Sequence, residues 1–201
     1  MLTRRTLLLT AAALPLLSLP LPAWAAPGDQ AEAMIRKLLT DLTGVVNGPG
    51  AAAAKQASLR RLVDATVDVE TVARFCLGRY WRTATPQQQK DFVTQFQRYL
   101  MGNITGKVGE YQGVSFTMGR TQTREAEATV STTVTRPGNA PNKVDWIVSN
   151  ETGAPKIVDV IAEGTSLRLT QRSDYSAFLT RNNGNVQGLI DAMSKQPSPG
   201  A

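Results

Sequence analysis

The 201-residue chain contains no histidine and a single cysteine, Cys76. Without histidine, neither a Ser-His-Asp nor a Cys-His arrangement is available to activate a nucleophile, and the usual zinc ligand sets are incomplete. One thiol leaves no internal disulfide to form. Lysine and arginine outnumber the acids by 22 to 16, for a formal charge of +6, but they form no dense basic block with interleaved aromatics. That argues against nucleic acid as a partner. The chain also lacks a phosphate-loop motif, an internal repeat, and any apolar run beyond residue 25 long enough to span a bilayer. The missing histidine is the most informative of these gaps.

What is present begins with an export signal. Arg4 and Arg5 precede an apolar stretch from Leu7 to Leu21, and Ala23-Trp24-Ala25 supplies the small residues of a cleavage site before Ala26. Pro15, Pro20 and Pro22 interrupt the stretch, which is too short for a membrane span; an uncleaved anchor is the alternative. Thr3-Arg4-Arg5-Thr6-Leu7-Leu8 approaches a twin-arginine signal but lacks the usual following Lys, so the export route stays open. Cleavage predicts a soluble mature chain, residues 26–201, sized for one domain with a real core. The leader removes two arginines and no acid, leaving a formal charge of +4, which suits an anionic membrane surface or headgroup.

Helical spacing runs through Met34, Ile35, Leu38, Leu39, Leu42, Val45 and Val46, ending at Asn47-Gly48-Pro49-Gly50. Ala51 to Val63 reads as a second helix. Asp68 is a candidate N-cap for a third, which ends near Gly78. Thr85-Pro86 starts a fourth, whose apolar face runs from Phe92 through Ile104 and Val108 to Tyr111, interrupted by Gly102, Gly106 and Gly109. The period then changes to two in four segments around Val114–Met118, Ala128–Val134, Val144–Val148 and Ile157–Val160, predicting an antiparallel sheet. Helices are expected again at Ser173–Arg181 and Asn185–Ser194, with a disordered tail from about residue 196. Helices, a sheet, then helices place the chain in the α+β class.

Two blocks carry a resemblance. The first is Asp68-Val69-Glu70-Thr71-Val72-Ala73-Arg74-Phe75-Cys76-Leu77-Gly78-Arg79-Tyr80-Trp81-Arg82, followed by Thr85-Pro86. The second comprises Val144-Asp145-Trp146, Lys156-Ile157-Val158-Asp159-Val160, Glu163-Gly164-Thr165-Ser166-Leu167 and Thr170-Gln171-Arg172-Ser173-Asp174-Tyr175. In order, spacing and identity they resemble the MlaC (toluene-tolerance, Ttg2-type) family of periplasmic phospholipid-binding proteins, over nearly all of the mature chain. The resemblance implies a curved four-stranded antiparallel sheet, NTF2-like, closed by helices around an apolar cavity. It further implies a monomeric carrier without metal or other cofactor, whose ligand is a phospholipid. Such a carrier shuttles between an outer-membrane lipoprotein complex and an inner-membrane ABC transporter with an MCE-domain subunit, maintaining outer-membrane lipid asymmetry. Hopanoid or another amphiphile is the alternative cargo, and an NTF2-like enzyme the alternative activity.

The candidate cavity wall is Phe92, Phe96, Tyr99, Leu100, Ile104, Trp146, Val148, Val158, Val160, Leu167 and Phe178. An ordinary packed core uses the same residue types at the same periods, so periodicity alone does not separate the two readings. Arg74, Arg79 and Arg82 are candidates for a headgroup phosphate or an acidic partner surface; ion pairs with Asp68, Glu70 or Asp91 are the alternative. Asp145 and Asp159, on strands next to apolar residues, are a candidate acid/base pair of the kind used by enzymes that share an NTF2-like fold, but fold analogy alone does not carry an enzymatic claim. Ser166 lacks the second glycine of a nucleophile elbow and has no histidine to activate it.

Overall fold

A computed structural model of the chain describes residues 26–106 and 111–195. Residues 1–25, where the export signal is expected, Val108, Gly109 and the residues from 196 on, where a disordered tail is expected, lie outside the described residues. The elements run α1 (Pro27–Asn47), α2 (Ala52–Thr66), α3 (Val69–Leu77), a 3-10 turn (Gly78–Arg82) and α4 (Pro86–Thr105). Strands β1 (Ser115–Arg124), β2 (Glu127–Thr135), β3 (Asn142–Ser149), β4 (Lys156–Ala162) and β5 (Thr165–Ser166) follow, then α5 (Leu167–Arg181) and α6 (Val186–Lys195).

Local chemistry explains most of the boundaries. Pro27 stands at the start of α1, where its missing N–H has no helical partner to lose. From there the helix buries Ala31, Ile35, Leu38, Leu39 and Val46, an apolar stripe at helical spacing. Asp68 Oδ1 accepts from the Thr71 N–H at 2.9 Å and starts α3. A reciprocal capping box starts α4: Thr85 Oγ1 accepts from the Gln88 N–H at 3.2 Å, and Gln88 Oε1 accepts from the Thr85 N–H at 3.0 Å.

Two boundaries differ from the sequence expectation. Helix α4 stops at Thr105, capped by Gly106, and Tyr111 sits in the turn before β1, where its carbonyl accepts from the Val114 N–H at 3.1 Å. Helix α5 begins at Leu167, six residues ahead of Ser173. Ser166 Oγ accepts from the Leu169 N–H at 3.2 Å and Asp159 Oδ1 from the Arg168 N–H at 3.0 Å, so two otherwise orphaned helix donors are satisfied there. The Asp159 contribution comes from a strand and is invisible to local pattern.

The sheet has the order β1-β2-β3-β4-β5, every neighbouring pair antiparallel, and it is curved and unclosed. The four long strands are those expected; β5 adds two residues at the β4 edge. Beside it, Val67 makes an isolated parallel bridge to Ile157, tying the α2–α3 link to the same edge. Register shifts at Met118/Thr121 and Ile147/Val148 interrupt the ladders; such irregularities bend a strand and increase its twist.

The apolar residues gather in two clusters. One lies between α1 and the sheet, with Ala31, Ile35, Leu38 and Leu39 against Ala128, Val130, Val148 and Ile157. The other is wholly helical, with Ala73, Cys76 and Leu77 of α3, Phe92 and Phe96 of α4, Tyr175 and Leu179 of α5, and Val186, Leu189, Ile190 and Met193 of α6.

Candidate functional site

The strand register defines one apolar face of the sheet. Phe116 pairs with Val134, Met118 with Thr132, Val130 with Trp146, and Trp146 with Val160. Where α1 crosses this face, Ala128, Val130 and Val148 are fully buried. Phe116, Met118, Val134, Val144, Trp146 and Val160 on the same face are only half-buried. Trp146 is held by its polar end: Nε1 donates to Thr132 Oγ1 at 3.0 Å, and that buried hydroxyl donates to the Val144 carbonyl at 3.1 Å. The indole is thereby fixed with no unsatisfied N–H while the residue stays only half-buried.

Seven of the eleven wall candidates divide between the two clusters. Trp146, Val148 and Val160 belong to the sheet cluster, and Phe92, Phe96, Tyr99 and Phe178 to the helical one. Phe92 stacks at a tilt on Phe96, centroids 6.2 Å apart, and meets the edge of Tyr175 at 5.5 Å. Val158 is buried at the register shift in β4. Leu100 and Ile104 are half-buried on α4, and Leu167 is exposed at the first position of α5. Surface grooves run along α1, lined by residues including Glu32, Arg36 and Asp41, and along α5, lined by residues including Leu169, Arg172 and Thr180. None of the eleven lines either groove, so neither is the apolar cavity that the resemblance implies.

Arg74, Arg79 and Arg82 are exposed, and among the described residues none is ion-paired. Asp68 caps α3 and Asp91 accepts from Gln87 instead. Arg74 lies 6.0 Å from the Trp81 ring centroid. Arg79 lies 4.9 Å from the Tyr80 ring and donates to its hydroxyl at 2.8 Å, a bond that holds the Tyr80 pKa below its usual value.

Beside them sits a second basic group that sequence reasoning missed. The guanidinium carbons of Arg168 and Arg172 both lie 4.8 Å from the Phe75 ring centroid. Gly78 makes room for one of them: its backbone has φ +59°, and a Cβ there would sit 3.3 Å from the Arg172 guanidinium. The i,i+4 spacing of the two arginines was a usable signal, but only once α5 is known to begin at Leu167.

Both carboxylates of the candidate acid/base pair are engaged in hydrogen bonds and ion pairs. Asp159 is buried and accepts from Ser166 Oγ at 2.5 Å and from the Val160 and Arg168 N–H groups at 2.8 and 3.0 Å, with Arg168 Nε at 3.4 Å. Asp145 accepts from Ser131 Oγ at 2.6 Å and Lys143 Nζ at 3.0 Å. Burial acts to raise its pKa, but the Ser131 and Lys143 contacts, with the Arg120 charge, outweigh burial and hold the carboxyl below its usual range.

The chain is thus an α+β domain in which α1 packs across one face of a curved, open antiparallel sheet and part of that apolar face is only half-buried. The chain belongs to the MlaC protein family, whose model matches residues 32–195. It is 27% identical over 194 residues to the toluene tolerance protein ttg2D of Pseudomonas putida, covering 94% of this chain and 87% of that protein. A phospholipid-binding protein from Ralstonia solanacearum, solved in complex with a phospholipid, shares the fold with a TM-score of 0.75 at 19% identity. The alignment covers 83% of this chain and 96% of that one.

Proposed function

We propose that this protein is a periplasmic carrier that shields the acyl chains of a phospholipid. In this reading it passes lipid between the outer membrane and an inner-membrane ABC transporter of the MCE type, and so maintains outer-membrane lipid asymmetry. The observation that carries the reading is the apolar sheet face at Phe116, Met118, Trp146 and Val160, which the fold leaves half-buried. Membership of the MlaC family and the phospholipid held by the Ralstonia protein support the same ligand class.

The energetics fit a carrier and require no chemistry. Two acyl chains contain about 30 methylenes, and at about 0.8 kcal/mol each their exposure to water costs roughly 24 kcal/mol. Transfer from a bilayer to an apolar protein surface is close to neutral, so the protein removes the barrier of crossing water without needing an energy source of its own. A carrier of this kind holds lipid tightly and relies on a docking partner for loading and release. Its exposed Arg74, Arg79 and Arg82 suit an acidic partner surface or a headgroup phosphate.

Native mass spectrometry of protein purified from its periplasm, without detergent, tests the proposal. Phospholipid at a fixed stoichiometry is expected. A hopanoid or other amphiphile in its place would change the cargo, and lipid-free protein would overturn the reading.

A further inference from the structure

Among the described residues, the polar side-chain atoms buried without a hydrogen-bond partner are Gln95 Oε1, both amide atoms of Asn150, and the Tyr175 hydroxyl. Gln95 and Asn150 belong to half-buried residues, whereas Tyr175 is only 7% exposed. A phenol in an apolar surrounding with nothing to donate to is a standing cost, and phenylalanine would fill the same space without it.

The surroundings of that hydroxyl restrict what it is for. Tyr175 meets Phe92 edge-on and belongs to the helical cluster with Phe96, Tyr99 and Phe178, four residues of the candidate wall. The polar groups near enough to influence it are the Cys76 thiol, the Tyr99 phenol and the Asp174 carboxylate, and it bonds to none of them. The Cys76 thiol donates instead to the Arg168 carbonyl at 3.5 Å. Burial pushes the Tyr175 pKa up, so the group stays a neutral donor throughout the physiological range. A neutral donor in an apolar wall suits an uncharged acceptor. A phosphate or carboxylate would have to shed its water there without a counter-charge. In a phospholipid the uncharged acceptors adjoining the acyl chains are the ester carbonyl oxygens, and these lose their interfacial water when the lipid leaves the bilayer for an apolar site.

We propose that the Tyr175 hydroxyl donates a hydrogen bond to an acyl-ester carbonyl of the bound lipid, making Tyr175 the residue that distinguishes ester-linked from ether-linked chains. One bond satisfies both partners. The assignment rests on the carrier reading, and it adds a position in the ligand and a preference that the reading does not contain.

The test uses the mature chain, stripped of lipid and offered an equimolar mixture of a diester phosphatidylglycerol and its dialkyl ether analogue with matched chains. The bound ratio is read by native mass spectrometry. Wild-type protein is expected to favour the diester by about threefold to tenfold, the net value of one neutral hydrogen bond. Tyr175→Phe, which removes only an oxygen, should take both lipids equally. Its lipid-free melting temperature should be unchanged or higher, since an orphaned donor has gone. Equal loading of both lipids by wild-type protein, or an undiminished diester preference in Tyr175→Phe, would overturn the assignment. If neither lipid loads onto wild-type protein, the carrier reading itself fails and takes this assignment with it.

Discussion

Arg168 holds Asp159 twice: its Nε lies 3.4 Å from Oδ2, and its backbone N–H donates to Oδ1 at 3.0 Å. A buried strand carboxylate thus fixes the first turn of α5, and with it the placement of both arginines on Phe75. Removing the carboxylate leaves Ser166 and two backbone donors without their acceptor, and leaves the Arg168 guanidinium only its 3.6 Å approach to Glu127. Asp159→Ala should destabilise the fold by about 3–5 kcal/mol, the usual cost of breaking a buried ion pair from one side. Lys143→Ala, which breaks a pair whose lysine side chain is 66% exposed, should cost under about 1 kcal/mol. Urea unfolding of the two variants measures the difference, and equal midpoints would contradict the anchoring role of Asp159.

Cys76 is expected to be inert in the folded protein. Burial first, then the nearby Asp159 carboxylate, push its thiol pKa up to about 12, against the partial relief of Arg168 and Arg172. The unfolded thiol ionises near 9, so between about pH 9 and 12 the unfolded state has lost a proton that the native state keeps. Stability therefore falls as pH rises through that window, and below it this thiol contributes no pH dependence. Labelling with a thiol reagent at pH 8 should proceed only at the rate of unfolding. Rapid labelling of folded protein would show the thiol to be accessible.

Gly78→Ala probes the arginine–phenylalanine contact without touching either partner. The substitution places a Cβ where φ is +59° and where the Arg172 guanidinium lies 3.3 Å away. Strain of about 1–3 kcal/mol is expected, seen as a lowered melting temperature. Arg172→Ala in the Gly78→Ala background should recover part of the loss, because the steric half of the cost disappears while the backbone half remains. No recovery would mean that the guanidinium does not pack on Gly78.

Charge placed on the proposed wall should impair lipid retention more than loss of an exposed arginine. Val148 is fully buried against α1, so Val148→Glu tests the core. Val160→Glu and Leu100→Glu are the informative variants, since both positions are half-buried. Under bound lipid a carboxylate there is cut off from water, at a cost of several kcal/mol or with uptake of a proton, so the lipid load should drop. In lipid-free protein the half-exposed carboxylate keeps its water, and circular dichroism and melting should stay near wild type. Arg79→Ala should keep its lipid and lose only salt-sensitive docking to partners. Folded Glu variants with a full lipid load would remove these positions from the wall.

Much of this architecture was legible in the chain itself. The capping residues Asp68 and Thr85, the apolar stripe of α1 and the alternation of four strands are local signals, because each depends on residues a few positions apart. The absence of histidine by itself removes the Ser-His-Asp and Cys-His arrangements and the usual zinc ligand sets. Period and composition, however, say only which side of an element is covered, never by what. Only the tertiary structure divided seven of the wall candidates between two clusters, left Trp146 and Val160 half-covered, started α5 at Leu167 through a carboxylate on β4, and buried the Tyr175 hydroxyl without a partner. Each of these depends on residues brought together from distant parts of the chain by the packing of the elements, and no local spacing encodes that.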